Sequence, residues 1–364
     1  RAKFSDLQLD MRFEIDTKIS FGLKQSMLEQ FLFPLLISFF TAVVLFQVVS
    51  IAGKRFGVMR KERGRTHKLV PRLGGVALVG AFLVAIAFNR ELVFSGPLLG
   101  LIAGGCLILL FGTLDDRTPI GWKPQLLFQI GLAILIFSSG MRAWVLTNPF
   151  GNPWFLYPES SVWPSLLVGI VFTLLAMNAM NWVDGVDGLL GGVSLSAFTT
   201  LFFVSLRPEV NQPTVAILAC VFAGLSLGFL VYNVPPARLL AGTSGSYFLG
   251  FGVAALALFS GAKIATTLLV LSVPVLDACF VIMMRIRAGK SPFHGGDERH
   301  LHDRLRQRGW SDLIIMISYT AVSALSGFAA LVLPAAGKVF FMLALGAGFV
   351  FLASGFGRVN EKEI

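Results

Sequence analysis

Residues 163–192, WPSLLVGIVFTLLAMNAMNWVDGVDGLLGG, decide the fold. The first half is a continuous apolar run without the alternation of a transmembrane β-strand, so it predicts a membrane-spanning α-helix. The second half places four polar side chains three residues apart: Asn178, Asn181, Asp184 and Asp187. Polar groups are costly at membrane depth, so this stretch predicts both a helical membrane fold and a functional site at the end of a helix.

The composition of the whole chain is that of a membrane protein. Of its 364 residues, 55% are hydrophobic and only 14% are charged, and the mean hydropathy is +0.77. Soluble domains carry about 25% charged residues. We therefore expect an all-α polytopic membrane protein with about 11 transmembrane helices. The candidate spans lie near residues 31–53, 73–89, 95–114, 124–140, 163–181, 188–206, 213–233, 246–260, 265–286, 312–333 and 337–355.

The distribution of basic residues predicts the orientation in the membrane. The net charge is +10, and Lys and Arg concentrate in residues 54–72 and 285–309, after the first and the ninth expected span. The positive-inside rule places both loops in the cytoplasm, and counting spans puts the polar clusters there too. We therefore expect a cytoplasmic-face active site, membrane lipids as partners and no nucleic acid. Three cysteines inside expected spans suggest neither a disulfide framework nor a zinc site.

The first 29 residues differ from the rest of the chain. Residues 6–16, DLQLDMRFEID, alternate apolar and polar side chains as a half-buried β-strand would. Residues 1–29 are therefore interpreted as a polar N-terminal segment of unknown origin, either the end of an upstream domain or an artificial remnant. Residues 30–364 are predicted to form the transmembrane domain.

An acidic pair ends the third expected span. Asp115 and Asp116 are adjacent, and Lys123 follows beside Trp122. Two neighbouring carboxylates repel each other unless a cation or a basic side chain compensates them, which suggests a site. A solvated membrane boundary with Trp and Lys anchors explains the same pattern, so this cluster alone does not decide between the two interpretations.

The four polar residues at the end of the fifth span point to a metal site. Positions three residues apart drift by about 60° around an ideal helix, so all four cannot face one point. Gly185 and Gly188 predict a helix that ends near Asp184 and a turn that returns Asp187 to the same place. Carboxylate and amide oxygens suit Mg²⁺ or Mn²⁺.

Two further clusters suit phosphate binding. Residues 242–246, GTSGS, form a glycine- and hydroxyl-rich turn, and backbone amides at a helix N-terminus attract phosphate. Residues 290–309 carry three of the four histidines, including His300 and His302. These supply too few ligands for zinc, so a basic loop facing a phosphate is favoured over a merely solvated loop. Together the clusters indicate metal-assisted phosphoryl transfer to a lipid acceptor.

From about residue 54 to the end of the His-containing loop, the chain resembles the polyprenyl-phosphate N-acetylhexosamine-1-phosphate transferase family. The matching motifs are NAMNWVDGVDGLLGG, DDRTPIGWK and PFHGGDERHLHDRL. This family includes enzymes that initiate O-antigen, enterobacterial common antigen and teichoic acid synthesis, and the phospho-MurNAc-pentapeptide translocase. The third motif is more similar to that of the sugar-phosphate transferases than to the translocase's run of histidines, which favours a UDP-sugar as donor.

The resemblance implies a reaction of UDP-N-acetylhexosamine with undecaprenyl phosphate that releases UMP, with Mg²⁺, at the bacterial inner membrane. A homodimer is compatible with it. By motif, Asp115 and Asp116 would activate the acceptor phosphate or organise its protonation. Asn181 would lie by the metal and the diphosphate, with Asp184 beside it, and His300 and His302 would face the sugar phosphate. The substrate-binding residues would be Lys68, Lys123, Asn178, Asp187, Asn233 and Leu240.

Two features depart from the family pattern. The aspartate that usually precedes the RKxH-like segment is missing from residues 58–67, VMRKERGRTH, and the glycine turn differs at one position. The family's glycine turn normally reads GD before GS, and its Asp is a metal ligand, whereas here Thr243 follows Gly242. A neutral hydroxyl is a poorer Mg²⁺ ligand than a carboxylate. Thr243 therefore raises the alternative of a catalytically impaired relative that only binds lipid phosphate or a partner. A phospho-MurNAc-pentapeptide translocase is a separate alternative within the family. A transporter is disfavoured because the chain shows no inverted repeat.

Overall fold

The structure, a computed structural model, describes residues 2–55, 59–60, 70–156, 161–261, 264–289 and 300–355, with side chains from residue 29 to residue 352 within those ranges except at residues 59–60. Its helices are α1 (Ala2–Arg55), α2 (Gly74–Ala87), α3 (Gly96–Arg117), α4 (Trp122–Ser138), α5 (Trp163–Val183), α6 (Leu189–Ser205), α7 (Pro213–Asn233), α8 (Gly242–Phe259), α9 (Ile264–Val270), α10 (Ser272–Arg287), α11 (Leu301–Gln307), α12 (Asp312–Val332) and α13 (Ala335–Gly355). Two antiparallel pairs of two-residue strands join β1 (Met59–Arg60) to β2 (Val70–Pro71) and β3 (Val145–Leu146) to β4 (Trp154–Phe155).

The expected all-α polytopic membrane fold is confirmed, but the count of about 11 spans is not. Within the described ranges, 7 helices are long and apolar enough to cross a membrane, or 8 if α9 and α10, bent by 80°, form one span. The apolar helices α2, α4 and α6 have 14, 17 and 17 residues. At 1.5 Å per residue they extend about 21 to 26 Å, less than a hydrocarbon core of about 30 Å. Each expected apolar run nevertheless coincides with a helix or with the bent pair.

The β-strand expected near the N-terminus is wrong. Helix α1 begins at Ala2 and continues without interruption into the first apolar span. Six of the eleven residues in 6–16 are Leu, Gln, Met, Arg or Glu, which have good helix propensity. Adding a residue to an existing helix also costs much less than starting one, so a short alternating pattern does not outweigh the adjoining helix.

Helix α8 occupies the centre of the bundle and positions the site. In its apolar window 94% of the residues are buried, compared with 78% in α7 and 39% in α3. Phe248 of α8 packs against Phe82 of α2 and Phe222 of α7, with ring centroids 5.4 and 5.3 Å apart. Because α8 is enclosed by its neighbours, its first turn is held at a fixed position between the ends of α3 and α5.

Candidate active site

Asp116, at the end of α3, binds the first turn of α8. Its carboxylate accepts hydrogen bonds from Thr243 N at 2.8 Å, Ser244 N at 3.3 Å and Ser244 Oγ at 2.8 Å. Arg72 Nε lies 2.9 Å from Asp116 Oδ1, and only 4% of the Asp116 side chain is exposed. Backbone amides at a helix N-terminus favour an anion, so this carboxylate joins α3, α8 and the segment after β2.

The approach of Asp116 requires a glycine at position 242. Gly242 has a φ of +72°, and a Cβ added to it would lie 2.6 and 2.7 Å from the two carboxylate oxygens of Asp116. A side chain at this position would meet both backbone strain and a steric clash. The first glycine of the sequence GTSGS, Gly242, is therefore needed for the contact between Asp116 and α8.

A Gly242→Ala substitution is expected to lower the thermal unfolding midpoint by several degrees, because the methyl group must displace the buried Asp116 carboxylate and α8. The cost should be about 1 to 3 kcal/mol from the backbone alone. Gly131→Ala is the matched control, since Gly131 lies in α4 with nothing within 4 Å of an added Cβ. That substitution should be neutral or stabilising by up to about 1 kcal/mol. Equal midpoints for the two variants would contradict the stated role of Gly242.

Asp115 is linked to the same turn through the hydroxyl of Thr243. Thr243 Oγ1 donates to Asp115 Oδ2 at 2.6 Å, and Oδ1 accepts from Ile120 N at 2.7 Å and Gln125 Nε2 at 3.1 Å. Gln125 is itself held by Tyr247 of α8, whose hydroxyl donates to Gln125 Oε1 at 3.1 Å. Thr243 therefore contacts both carboxylates of the pair, one by its side chain and one by its backbone.

Asn181 approaches the first turn of α8 from the other side. Ser246 Oγ donates to Asn181 Oδ1 at 2.7 Å, and Ser246 lies three residues after Thr243 on α8. Helix α5 ends at Val183, with buried Asp184 as its C-cap, which confirms the expected helix end. The ends of α3 and α5 thus meet at the start of α8, as the metal-site hypothesis requires.

Asp187, Asn233 and Leu240 belong to a network that fixes the loop between α7 and α8. Asp187 Oδ2 accepts from Ala237 N at 2.9 Å, and Asn233 Oδ1 accepts from Gly188 N at 2.8 Å. Asn233 Nδ2 donates to the Leu239 carbonyl at 2.8 Å. Gly188 has a φ of +77°, as its expected place in a turn requires.

Leu240 contributes through its backbone. Its amide donates to the Pro71 carbonyl at 3.0 Å, and its carbonyl accepts from Gly74 N at 2.9 Å, while its side chain is buried. In the structure, Asp187, Asn233 and Leu240 therefore support the loop, and their contact with a nucleoside stays a prediction.

The other expected substrate-binding residues lie at different places. Asn178 forms a reciprocal amide pair with Gln129 of α4, at 2.8 and 3.3 Å, one turn deeper in α5 than Asn181. Lys123 is exposed at the start of α4, with Nζ 5.7 Å from the Trp122 ring centre. Lys68 lies outside the described residues. The structure therefore shows Asn178 as a link between two helices.

His300 and His302 lie against the turn that follows α5. Their rings stack, with centroids 5.3 Å apart and planes at 5°, and the His300 ring lies 6.2 Å from that of Trp182. A Cβ added to Gly185 would lie 2.6 Å from His302 Nε2, so the absence of a side chain at position 185 allows this close approach. The histidine pair therefore lies next to the segment that carries Asn181 and Asp184.

Sequence reasoning missed Asp277, Ser246 and the two glutamines of α4. Asp277 lies on α10 with 2% of its surface exposed, and its Oδ2 lies 2.8 Å from His300 Nδ1. The available signal was a single carboxylate inside the apolar run VPVLDACFVIMM, since such a residue is a functional candidate by default. Ser246 was part of the GTSGS turn but had no distinguishing pattern of its own.

The donor set fits a hard divalent cation only if the substrate contributes ligands. Among the described residues, no three His, Cys, Asp or Glu side chains form a group that could hold a metal. Asp115, Asn181, Asp184 and Thr243 nevertheless each carry a side-chain oxygen near the start of α8 or the end of α5. Mg²⁺ is commonly held by one or two carboxylates together with substrate phosphates, so these residues suit such an ion.

Comparison with known proteins identifies the relatives of this chain. Residues 98–261 match the family described as glycosyl transferase family 4. A probable undecaprenyl-phosphate N-acetylglucosaminyl 1-phosphate transferase of Bacillus subtilis is 29% identical over 90% of this chain and 92% of its own. A decaprenyl-phosphate N-acetylglucosaminephosphotransferase of Mycobacterium tuberculosis is 31% identical over 74% of each chain. A phospho-N-acetylmuramoyl-pentapeptide-transferase of Halalkalibacterium halodurans is 29% identical over 84% of this chain and 98% of its own.

Proposed function

Because the chain belongs to glycosyl transferase family 4, we propose that it transfers a sugar 1-phosphate from a UDP-sugar to undecaprenyl phosphate and releases UMP. N-acetylhexosamine 1-phosphate is the proposed group, since relatives from Bacillus subtilis and Mycobacterium tuberculosis are named for N-acetylglucosamine phosphate transfer to prenyl phosphates. The product would initiate a cell-envelope glycan. We place the protein in the bacterial inner membrane with the site at its cytoplasmic end, and a homodimer stays a prediction.

The observation that carries the proposal is the hydrogen-bonded chain from Asp115 through α8 to Asn181. Thr243 bonds Asp115, and Ser246, one turn later, bonds Asn181. Acidic and amide side chains from two helices that are far apart in the sequence therefore meet at one end of the bundle. A diphosphate bound there would have carboxylates on one side and the histidine pair next to the α5 turn on the other.

The proposed reaction is a displacement at phosphorus. An oxygen of undecaprenyl phosphate attacks the phosphorus that carries the sugar, the bond from that phosphorus to the bridging oxygen breaks, and UMP leaves with that oxygen. Asp115, fixed by three donors, would orient the acceptor phosphate and take up its remaining proton. Asp116 would hold α8 in place.

The remaining residues would act on the nucleotide sugar. His300 and His302 would hold the sugar phosphate, and Asn181 and Asp184 would face the diphosphate. Mg²⁺ or Mn²⁺, when bound by Asn181, Asp184 and the diphosphate oxygens, would supply charge neutralisation. Phosphoryl transfer depends mainly on the positions and charges of the groups around the phosphates. The fixed first turn of α8 would provide this positioning.

Release of UMP tests this proposal directly. Purified protein would be given undecaprenyl phosphate, Mg²⁺ and, one at a time, UDP-N-acetylglucosamine, UDP-N-acetylgalactosamine, UDP-glucose and UDP-MurNAc-pentapeptide. We expect UMP with one N-acetylhexosamine donor and none when undecaprenyl phosphate is omitted. UMP with the pentapeptide donor alone would instead identify the translocase reaction.

A catalytically impaired relative is the second candidate, and Thr243 is the observation that favours it. In the family that the sequence resembles, a metal-binding carboxylate stands at this position. Here the Thr243 hydroxyl stands in its place and donates a hydrogen bond to Asp115. UMP release with none of the four donors, together with retained binding of undecaprenyl phosphate, would support this candidate over the transferase.

A further inference from the structure

Asp277 is a buried carboxylate of α10 that contacts His300 and Leu301 at the start of α11. Its Oδ2 lies 2.8 Å from His300 Nδ1, and its Oδ1 accepts a hydrogen bond from Leu301 N at 2.7 Å. Removing a carboxylate from water is expensive, so a group with 2% exposure on an apolar helix needs such partners. His300 and Leu301 are the two residues at which α11 begins.

The contact determines which nitrogen of His300 carries a proton. A carboxylate accepts hydrogen bonds and does not donate them, so Nδ1 of His300 must be the donor. The other nitrogen, Nε2, takes no part in this contact and can act as an acceptor in the neutral ring or as a donor in the charged ring. His302 has a separate carboxylate neighbour, Asp303, at 3.5 Å from Nε2, so Asp277 serves His300 specifically.

We propose that Asp277 is a positioning residue that holds His300 with Nδ1 protonated and Nε2 directed at the phosphate of the nucleotide sugar. The inference rests on the proposed function, because it assigns His300 to that substrate. The contact with Asp277 holds the His300 ring in the orientation in which it stacks on His302 and faces Trp182. A carboxylate beside an imidazole orients the ring and stabilises its charged form. Asp277 would therefore act without touching the substrate.

An Asp277→Asn substitution separates positioning from folding. The amide has the shape of the carboxylate, but its NH₂ group can donate to Nδ1 and reverse the tautomer of His300. We expect kcat to fall by about 100-fold or more, with KM for the UDP-sugar within about threefold of wild type. Asp277→Glu, which restores the charge, should recover part of the lost kcat.

A double-mutant cycle with His300→Ala tests whether Asp277 acts through His300. A purely structural role of Asp277 would not depend on the presence of His300. If Asp277 acts through His300, Asp277→Asn should cause almost no further loss in the His300→Ala protein. Ser272→Ala is the matched control, because Ser272 is a buried residue of the same helix whose hydroxyl lies 3.3 Å from Ser326 Oγ. It should leave kcat unchanged. An undiminished loss in the His300→Ala background, or wild-type kcat in Asp277→Asn, would overturn the proposal.

Modification with diethyl pyrocarbonate tests the positioning role of Asp277 without requiring enzyme turnover. The reagent acylates an unprotonated imidazole nitrogen, and mass spectrometry reports its rate at His300. We expect the rate at His300 to fall several-fold in Asp277→Asn and to stay unchanged in Ser272→Ala. An unchanged rate in Asp277→Asn overturns the positioning role whether or not the protein turns over. Absence of UMP from the wild-type protein, with a slowed rate in Asp277→Asn, overturns only the proposed function.

Discussion

An Asp115→Asn substitution is expected to reduce UMP release by at least about 100-fold, the usual range for loss of a general base. The amide oxygen can still accept from Ile120 N and Gln125, so the local structure should persist. The amide carries no negative charge and cannot take up a proton from the acceptor phosphate. Initial rates with saturating donor, measured beside the thermal unfolding midpoint, should show lost turnover in a protein of wild-type stability.

Asp116→Asn is the matched comparison and should behave differently. Asp116 has an ion pair with Arg72 and accepts three hydrogen bonds from the first turn of α8, and an amide oxygen cannot replace both carboxylate oxygens. Removing one member of a buried ion pair costs on the order of 3 kcal/mol. We expect the thermal unfolding midpoint to be several degrees lower than in wild type. Turnover should also fall, because the first turn of α8 is displaced. Undiminished UMP release in both variants would show that the acidic pair is not part of the active site.

Hydropathy predicted the helices well because an apolar run in a membrane must satisfy its backbone hydrogen bonds within itself, whether lipid or other helices surround it. The positions of all eleven expected runs were matched by helices or by the bent pair α9 and α10. The number of true spans was less predictable, since α2 and α6 are apolar but short and are covered by neighbouring helices. The N-terminal alternation misled because the adjoining apolar helix extends through it.

Sequence reasoning pointed to the candidate site where its polar residues form short motifs, and it missed Asp277, a single polar residue inside an apolar run. The pairing of Asp115 and Asp116 and the helix end at Asp184 were readable from charge and glycine spacing. Asp277 was not found because its partner, His300, is 23 residues away along the chain and only the tertiary fold brings them together. The role of Asn178 as a helix link also depends on Gln129, whose position opposite it cannot be read from a single sequence.

Thr243→Asp is expected to make the protein respond strongly to Mg²⁺. In the wild type, the Thr243 hydroxyl lies 2.6 Å from Asp115 Oδ2 as a hydrogen-bond donor. A carboxylate in its place would face Asp115 and Asp116, and like charges at this distance repel each other unless a cation intervenes. The variant should therefore unfold at a lower temperature than wild type in EDTA and regain stability when Mg²⁺ is added.

The same substitution should change the metal dependence of transfer. Replacing the hydroxyl by a carboxylate adds a negative charge to the site and a better Mg²⁺ ligand. Half-maximal UMP release should therefore need at least about tenfold less Mg²⁺ than in wild type. Thr243→Asn is the control, since it is neutral and of similar shape to Asp, and it should show no gain in Mg²⁺ affinity. Activity in Thr243→Asp with none in wild type would identify the natural chain as impaired.

Loss of transfer in Thr243→Asp at every Mg²⁺ concentration would have the opposite meaning. In that case the hydrogen bond from Thr243 to Asp115 is itself required, and the hydroxyl is not a weakened metal ligand. The EDTA and Mg²⁺ unfolding curves distinguish this outcome from simple misfolding, because a misfolded variant would show no stabilisation by the cation. The first turn of α8 would then use its threonine to orient Asp115, and the divalent cation would depend on Asn181, Asp184 and the substrate for its ligands.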